Sequence, residues 1–206
     1  MANAGGTVLR DVSVSLGALI RANVFIEKPG DVDVEYHSPA SEETATQGRR
    51  PVILVYLYRM ADNPYLRNTP DSLVRTPKGF VRRAAPAVVD LMYLMVAYAQ
   101  NAELELILMD RLKRLFADAT VLEKDTLKGG LRATGNDYLT IVPDNLGLND
   151  IHQVWASFPN KPYRLSLFYT VTPVSIPRVT EQPVQRVYEV TTTYDVRVEP
   201  AAKEEE

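Results

Sequence analysis

Pro51-Val52-Ile53-Leu54-Val55-Tyr56-Leu57-Tyr58 is apolar without a break and rich in β-branched and aromatic residues. A strand with one wet face would alternate, so this run reads as a strand covered on both sides, near the centre of a sheet. Val88 to Ala99 repeats the pattern, apolar on both alternating sets and interrupted only by Asp90. Leu91, Met92, Leu94 and Met95 would also suit a helix, but Val88, Val89, Tyr93, Val96 and Tyr98 favour a second central strand. From Arg164 to Val174, Leu165, Leu167, Tyr169 and Val171 alternate with Ser166, Phe168, Thr170 and Thr172. Pro173 and Pro177 close this last strand of the body.

Around these strands the spacing changes to that of helices. Val8, Val12, Leu16, Leu19 and Ile20 recur every three or four residues, which predicts an amphipathic helix over 7–23. A second helix begins at Asn101, a side chain able to cap the first turn. Glu103 and Glu105 suit its positive end, Lys113 and Arg114 its negative end, and Leu104, Leu108, Leu112 and Leu115 form the seam. A short helix from about Leu146 to Ser157 is expected to turn Leu148, Ile151 and Trp155 inward, with Trp155 as anchor. Pro29-Gly30 breaks the chain before Asp31-Val32-Asp33-Val34-Glu35-Tyr36, which alternates as an edge strand does. A weaker strand is expected near Tyr138 to Val142, and 37–49 reads as an exposed loop. Between Met60 and Pro86, prolines at 64, 70, 77 and 86 predict a long loop without regular elements.

Composition sets the bounds. The chain has 206 residues, 46% apolar and 24% charged, in the range of globular proteins able to bury a core without staples. It has no cysteine, which excludes disulfides, thiolate zinc sites and cysteine nucleophiles and fits a reducing compartment. Neither a basic leader nor a membrane-length apolar stretch is present, so the expectation is assembly in the cytosol without direct membrane contact. Residues 1–177 carry 19 bases and 19 acids, while 178–206 carry 4 against 7 and supply the whole net charge of −3. Within 49–83, eight bases face only Asp62 and Asp71. A pI near 5.5 and the lack of a reading helix or stacking platform argue against nucleic acid as the partner of that basic stretch.

The tail divides from the body after residue 177. Tyr188, Val190, Thr192, Tyr194, Val196 and Val198 fall on one face of a long strand, with Glu189, Thr191, Thr193, Asp195 and Arg197 on the other. That strand wants a partner sheet, and the closing Lys203-Glu204-Glu205-Glu206 has nothing to bury. Two domains therefore follow: a body over 1–177 and an extension over 178–206.

Groups able to do chemistry are sparse. His37 and His152 lie far apart and read as solvent-facing. Asp31, Asp33 and Glu35 share one side of a strand and could hold a hard cation with help from elsewhere; the plainer reading is the wet face of an edge strand. Gly129-Gly130 matches neither the phosphate loop nor the dinucleotide fingerprint and reads as a turn. No serine sits in a nucleophile elbow, and Asn63-Pro64 and Thr69-Pro70 are turn dipeptides. Neither a cofactor nor a metal is expected, and no catalytic residue is assigned.

Three stretches in order carry a resemblance. They are Arg50 to Tyr58 running on to Asn63; Asp90 to Tyr98 followed by the helix over 104–115; and Leu148 to Trp155 followed by Tyr163 to Val171. Together they resemble the cap, or tail-terminator, proteins of phage-tail-like contractile injection systems of the antifeeding-prophage and Photorhabdus virulence-cassette type, over about residues 7–176. The resemblance implies an α+β fold: a mixed β-sheet with helices packed against it, plus the C-terminal strand extension. It further implies a structural, non-enzymatic protein that binds the baseplate-distal end of inner tube and sheath, stops polymerisation and couples the two. Its partners would be tube and sheath subunits and further copies of itself, in a hexameric ring with head-to-tail interfaces. Arg59, Arg67, Arg75, Lys78, Arg82 and Arg83 would supply a docking surface, and Tyr188, Val190, Tyr194 and Val196 a strand for a neighbour's sheet edge. The alternatives are a generic protein–protein adaptor, which would be a monomer or dimer, and a metal-dependent hydrolase using Asp31, Asp33 and Glu35.

Overall fold

The computed structural model describes residues 6–41, 50–77, 79–178 and 180–184. In chain order the strands are β1 (Asp33–Glu35), β2 (Val52–Asp62), β3 (Ser72–Thr76), β4 (Gly79–Arg83), β5 (Ala87–Tyr98), β6 (Val121–Glu123), β7 (Tyr138–Pro143), β8 (Ser166–Ile176) and β9 (Glu181–Val184). The helices are α1 (Val8–Asn23), α2 (Ala102–Asp118) and α3 (Leu148–Ala156).

Successive side chains of the two long apolar strands enter different cores, which is why neither strand alternates in sequence. Ile53 and Val55 of β2, with Tyr93, Met95 and Ala97 of β5, pack with α1 and α2. Their neighbours Val52 and Leu54, with Leu94, Val96 and Tyr98, pack with Trp155 and Phe158 of the α3 region and with Phe168. A strand between two apolar layers has no wet face for polar residues to mark. The sheet order is β1-β2-β5-β8-β7-β6; only the β1–β2 pair is parallel. This α+β unit comprises residues up to Pro70 and 85–179. No helix among the described residues is long and apolar enough to cross a membrane.

α1 buries Val8, Val12, Leu16 and Ile20, the stripe read from the spacing. It also buries Asp11 and Ser15, both committed to the chain beyond α2. Asp11 Oδ2 accepts from Gly130 N at 3.0 Å and Thr7 Oγ1 at 3.0 Å, while Ser15 Oγ accepts from Lys128 N at 2.9 Å. Gly129, at φ +64°, brings its backbone so close that a Cβ would lie 2.3 Å from the Asp11 carboxyl carbon. The double glycine is a turn held on a buried carboxylate. In α2, Asn101 Oδ1 accepts from Leu104 N at 2.9 Å, the cap expected of it. The buried residues of that helix are Leu108, Met109, Leu112 and Phe116; Leu104 and Leu115 are half-buried flanks.

Several expectations need correction. Residues 60–86 are not a loop: β2 runs on to Asp62, and β3 and β4 form an antiparallel hairpin. The prolines fall between elements, where their missing N–H costs no ladder bond, so they punctuate strands without abolishing them. The visible part of the 37–49 segment is not simply exposed, since Pro39 is buried and Ala40 packs on the second core; 42–49 lie outside the described residues. Leu148 is 64% exposed; Leu146, just before the helix, and Ile151, Val154 and Trp155 make the apolar contact instead. Leu165 is likewise exposed, because β8 starts at Ser166. Short β6 went unread in the sequence.

A second unit comprises 71–84 and the chain from Thr180. It is a three-stranded antiparallel sheet in the order β3-β4-β9. The expected strand over 188–198 lies outside the described residues.

Candidate functional site

The lone charge inside β5 is the key to the exposed turn that follows β2. Asp90 sits where two residues of β8, Thr172 and Pro173, oppose one residue of β5. A carboxylate at such a place needs donors. It accepts from Thr172 Oγ1 and from Asn63 Nδ2, the latter at 2.9 Å. Asn63, 7% exposed, then organises the turn after β2. Its Oδ1 accepts from Tyr65 N at 3.0 Å and Leu66 N at 3.1 Å, its own N–H donates to Val88 O at 2.9 Å, and its carbonyl accepts from Arg67 N at 3.2 Å. The turn over 63–69 is thereby tied to β5 and β8 while its tip stands in solvent, with Tyr65 91% and Leu66 40% exposed. Sequence reasoning listed Asn63-Pro64 only as a turn dipeptide; the signal available was Asp90, one charge in an otherwise apolar central strand.

The same unit carries a groove of about 580 Å³ between β2 and α3. Tyr56, Tyr58, Leu146 and Val154 form its walls, and Arg59 and Asp150 lie at its polar rim. Edge-to-face contacts fix the tyrosines: Tyr56 on Phe158 and Tyr58 on Phe168, each at 5.7 Å between ring centres. Burial, reinforced by the negative charge of Asp144, raises the Tyr58 pKa above the ordinary value, so the phenol stays protonated. Trp155 anchors α3, donating Nε1–H to Ser166 Oγ at 3.0 Å.

The basic residues singled out in the sequence do not form one loop surface. Arg59 is exposed on β2 and Arg67 on the turn, both in the first unit. Arg75, Arg82 and Arg83 belong to the second unit and are exposed on β3 and β4. Arg82 Nε is paired with Asp71 at 2.9 Å. Cross-strand register places Leu73, Arg75, Phe80, Arg82, Gln182 and Val184 on one face of the small sheet. Leu73 is 65% exposed there, and Phe80 and Val184 are also exposed. Lys78, Tyr188, Val190, Tyr194 and Val196 lie outside the described residues.

The acidic trio of the β1 region does not converge on a cation. Asp31 precedes the strand and its carboxylate accepts backbone N–H groups of Ile26, Glu27 and Lys28 at 2.8–3.2 Å. Burial pushes its pKa up, but those backbone bonds together outweigh it and leave the carboxyl below its ordinary value. Glu35 is paired with His37 Nε2 at 2.5 Å, which makes His37 a half-buried partner in place of a solvent-facing ring. His152 is exposed, with its ring 6.1 Å from that of Tyr163. Among the described residues no group of three or more His, Asp or Glu is placed to hold a metal ion.

The family model described as the Pvc16 N-terminal domain matches residues 11–189 of this chain. Among solved structures, the chain is similar to the PVC sheath/tube terminator of an extracellular contractile injection system in its extended state. The TM-score is 0.64 at 20% identity, over 94% of this chain and 65% of that one. It is also similar to the anti-feeding prophage cap, a tube-terminating cap, with a TM-score of 0.56 at 20% identity over 90% of this chain and 61% of that one. The chain thus spans a little under two thirds of the length of either structure. No curated protein matches it.

Proposed function

This chain belongs to the family of Pvc16 N-terminal domains, and from that premise we propose that it is a structural cap of a contractile injection particle. It seats on the baseplate-distal end of inner tube and contractile sheath, ends their polymerisation and couples one to the other. The observation that carries this reading is the fold this chain shares with two structures, a sheath/tube terminator and a tube-terminating cap. The working form is a hexameric ring of head-to-tail copies, since a plug for a sixfold cylinder matches its symmetry. Such a role asks for surfaces and no catalytic centre, so the chain transforms no substrate. It is assembled in the cytosol as part of the particle.

Docking falls to the second unit. Three short strands are marginal as a free-standing sheet, and the exposed Leu73, Phe80 and Val184 face supplies apolar area for a partner. Arg75 on that face sets orientation and rate more than affinity. Arg75→Glu is therefore expected to weaken co-sedimentation with tube or sheath several-fold, more at low salt than at high, with melting unchanged. Equal co-sedimentation at low salt would remove the electrostatic part. The C-terminal extension bearing Tyr188, Val190, Tyr194 and Val196 supplies the second contact in this proposal, adding to the edge of a neighbour's sheet. Truncation after Val184 is expected to lose that contact.

The test of the whole reading is deletion. Cells making the particle without this chain are expected to yield overlong or uncapped tubes and sheaths in electron micrographs. Particles of normal length and stability would defeat the proposal.

A further inference from the structure

The first unit carries a projection and a recess that cannot serve each other within one molecule. The projection is the turn tip: Tyr65, Leu66 and Arg67, held from beneath by the Asn63–Asp90–Thr172 network. The recess is the groove between β2 and α3, walled by Tyr56, Tyr58, Leu146 and Val154. From Arg59 at the groove rim to Asn63, the chain advances about 13 Å as extended strand, away from the recess. Asn63 then fastens the turn to β5 and β8, so the tip cannot fold back, and Tyr65 stays 91% exposed.

We propose that the tip of one copy enters the groove of the next, with Tyr65 against Tyr56 and Tyr58 and Arg67 facing Asp150. This rests on the ring reading above and names the surface that builds the ring. Three observations carry it. First, the tip is preorganised: a knob whose backbone N–H groups are already bonded gives up little conformational entropy on docking. Second, Tyr and Arg are the residue types that dominate interface energies, and here they stand side by side on an exposed mount. Third, the charges complement one another. Arg67 and Asp150 are both exposed, and neither meets an opposite charge among the described residues. Arg59, across the groove from Asp150, lies over the entering Tyr65 ring as a cation against a π-face. The volume of about 580 Å³ admits Leu66 beside Tyr65. A knob on one surface and a hole on another make a heterologous contact, the kind that generates rings when the rotation closes.

The experiment is a charge swap read by native mass spectrometry of the full chain across a dilution series. Arg67→Glu and Asp150→Arg are each expected to raise the concentration at which rings form about ten- to hundredfold, and the double variant to recover most of the loss. Tyr65→Ala is expected to weaken rings at least as much. All three positions are exposed, so the melting temperature of the dissociated chain should match the wild type and separates weakened assembly from misfolding. Rings unchanged by the single variants, or a double variant no better than either single one, would overturn this interface while leaving the ring intact. Unchanged rings with lost tube or sheath binding would assign the groove to those partners and equally overturn it. A wild-type chain that forms no ring at any concentration would sink the ring reading itself, and this interface with it.

Discussion

Tyr93 and Tyr169 place two phenols in the same core with opposite accounts. Ser13 Oγ donates to Leu9 O, so the 2.9 Å contact with Tyr93 Oη has the tyrosine as donor. Burial pushes the Tyr93 pKa up to about 12, so the phenol stays protonated and keeps its donor role. The Tyr169 hydroxyl is buried with no hydrogen-bond partner among the described residues. Tyr93→Phe is expected to cost about 1 kcal/mol, while Tyr169→Phe is expected to be neutral or stabilising, because an unpaired buried hydroxyl is a cost. Urea melts of the two variants decide it; a loss of more than about 1 kcal/mol for Tyr169→Phe would mean the hydroxyl has an unseen partner. Asp31 gives a pH signature. Its folded carboxyl titrates below its ordinary value of 3.8, so its contribution is complete above that value and is lost as the pH falls through the lower, folded pKa. Asp31→Ala should therefore be less stable than wild type at neutral pH, with the difference closing in strong acid. A difference independent of pH would contradict the turn-capping role. The Ser13–Tyr93 pairing was not legible in sequence, since the two lie 80 residues apart and spacing rules reach only local neighbours; the Asp31 bonds are local, but the alternating strand pattern around them drew the reading to a strand face instead.

At the scale of elements, the sequence was most informative where one pattern admits one environment. The unbroken runs of β2 and β5 required cover on both faces, and α1, α2 and the α3 region supply it. Leu94, fully buried in the α3-side core, tests that layer: Leu94→Ala is expected to cost about 2–5 kcal/mol. A loss below about 1 kcal/mol would mean this layer packs loosely. The hairpin of β3 and β4 was illegible for a physical reason. Its strands are five residues each and largely exposed, so little burial imposes an apolar pattern, and the prolines at its borders mimic a loop. The turn after β2 fell between these cases. Asn63 and Asp90 were visible as residues, but their 27-residue separation hid the bond that makes the turn rigid. Asn63→Ala is expected to free the Tyr65 and Leu66 amides, so that hydrogen exchange there accelerates far more than global stability falls. Uniform acceleration across the sheet would contradict a local pinning role.

At the scale of the molecule, order and spacing of the apolar strands carried the family resemblance, while composition bounded the chemistry. The basic surface was read as a single stretch because it is contiguous in sequence; in the fold its residues divide between two units, and Arg82 is already paired with Asp71. The proposed cap role rests on three surfaces: a rigid tip, a groove and a small sheet whose face exposes Leu73, Phe80 and Val184 beside Arg75. The most direct measurement is averaged electron cryo-microscopy of intact particles at the end opposite the baseplate. The expected image is a sixfold ring of this fold touching both tube and sheath. A particle end without that ring, or this chain found instead at the baseplate, would contradict the account.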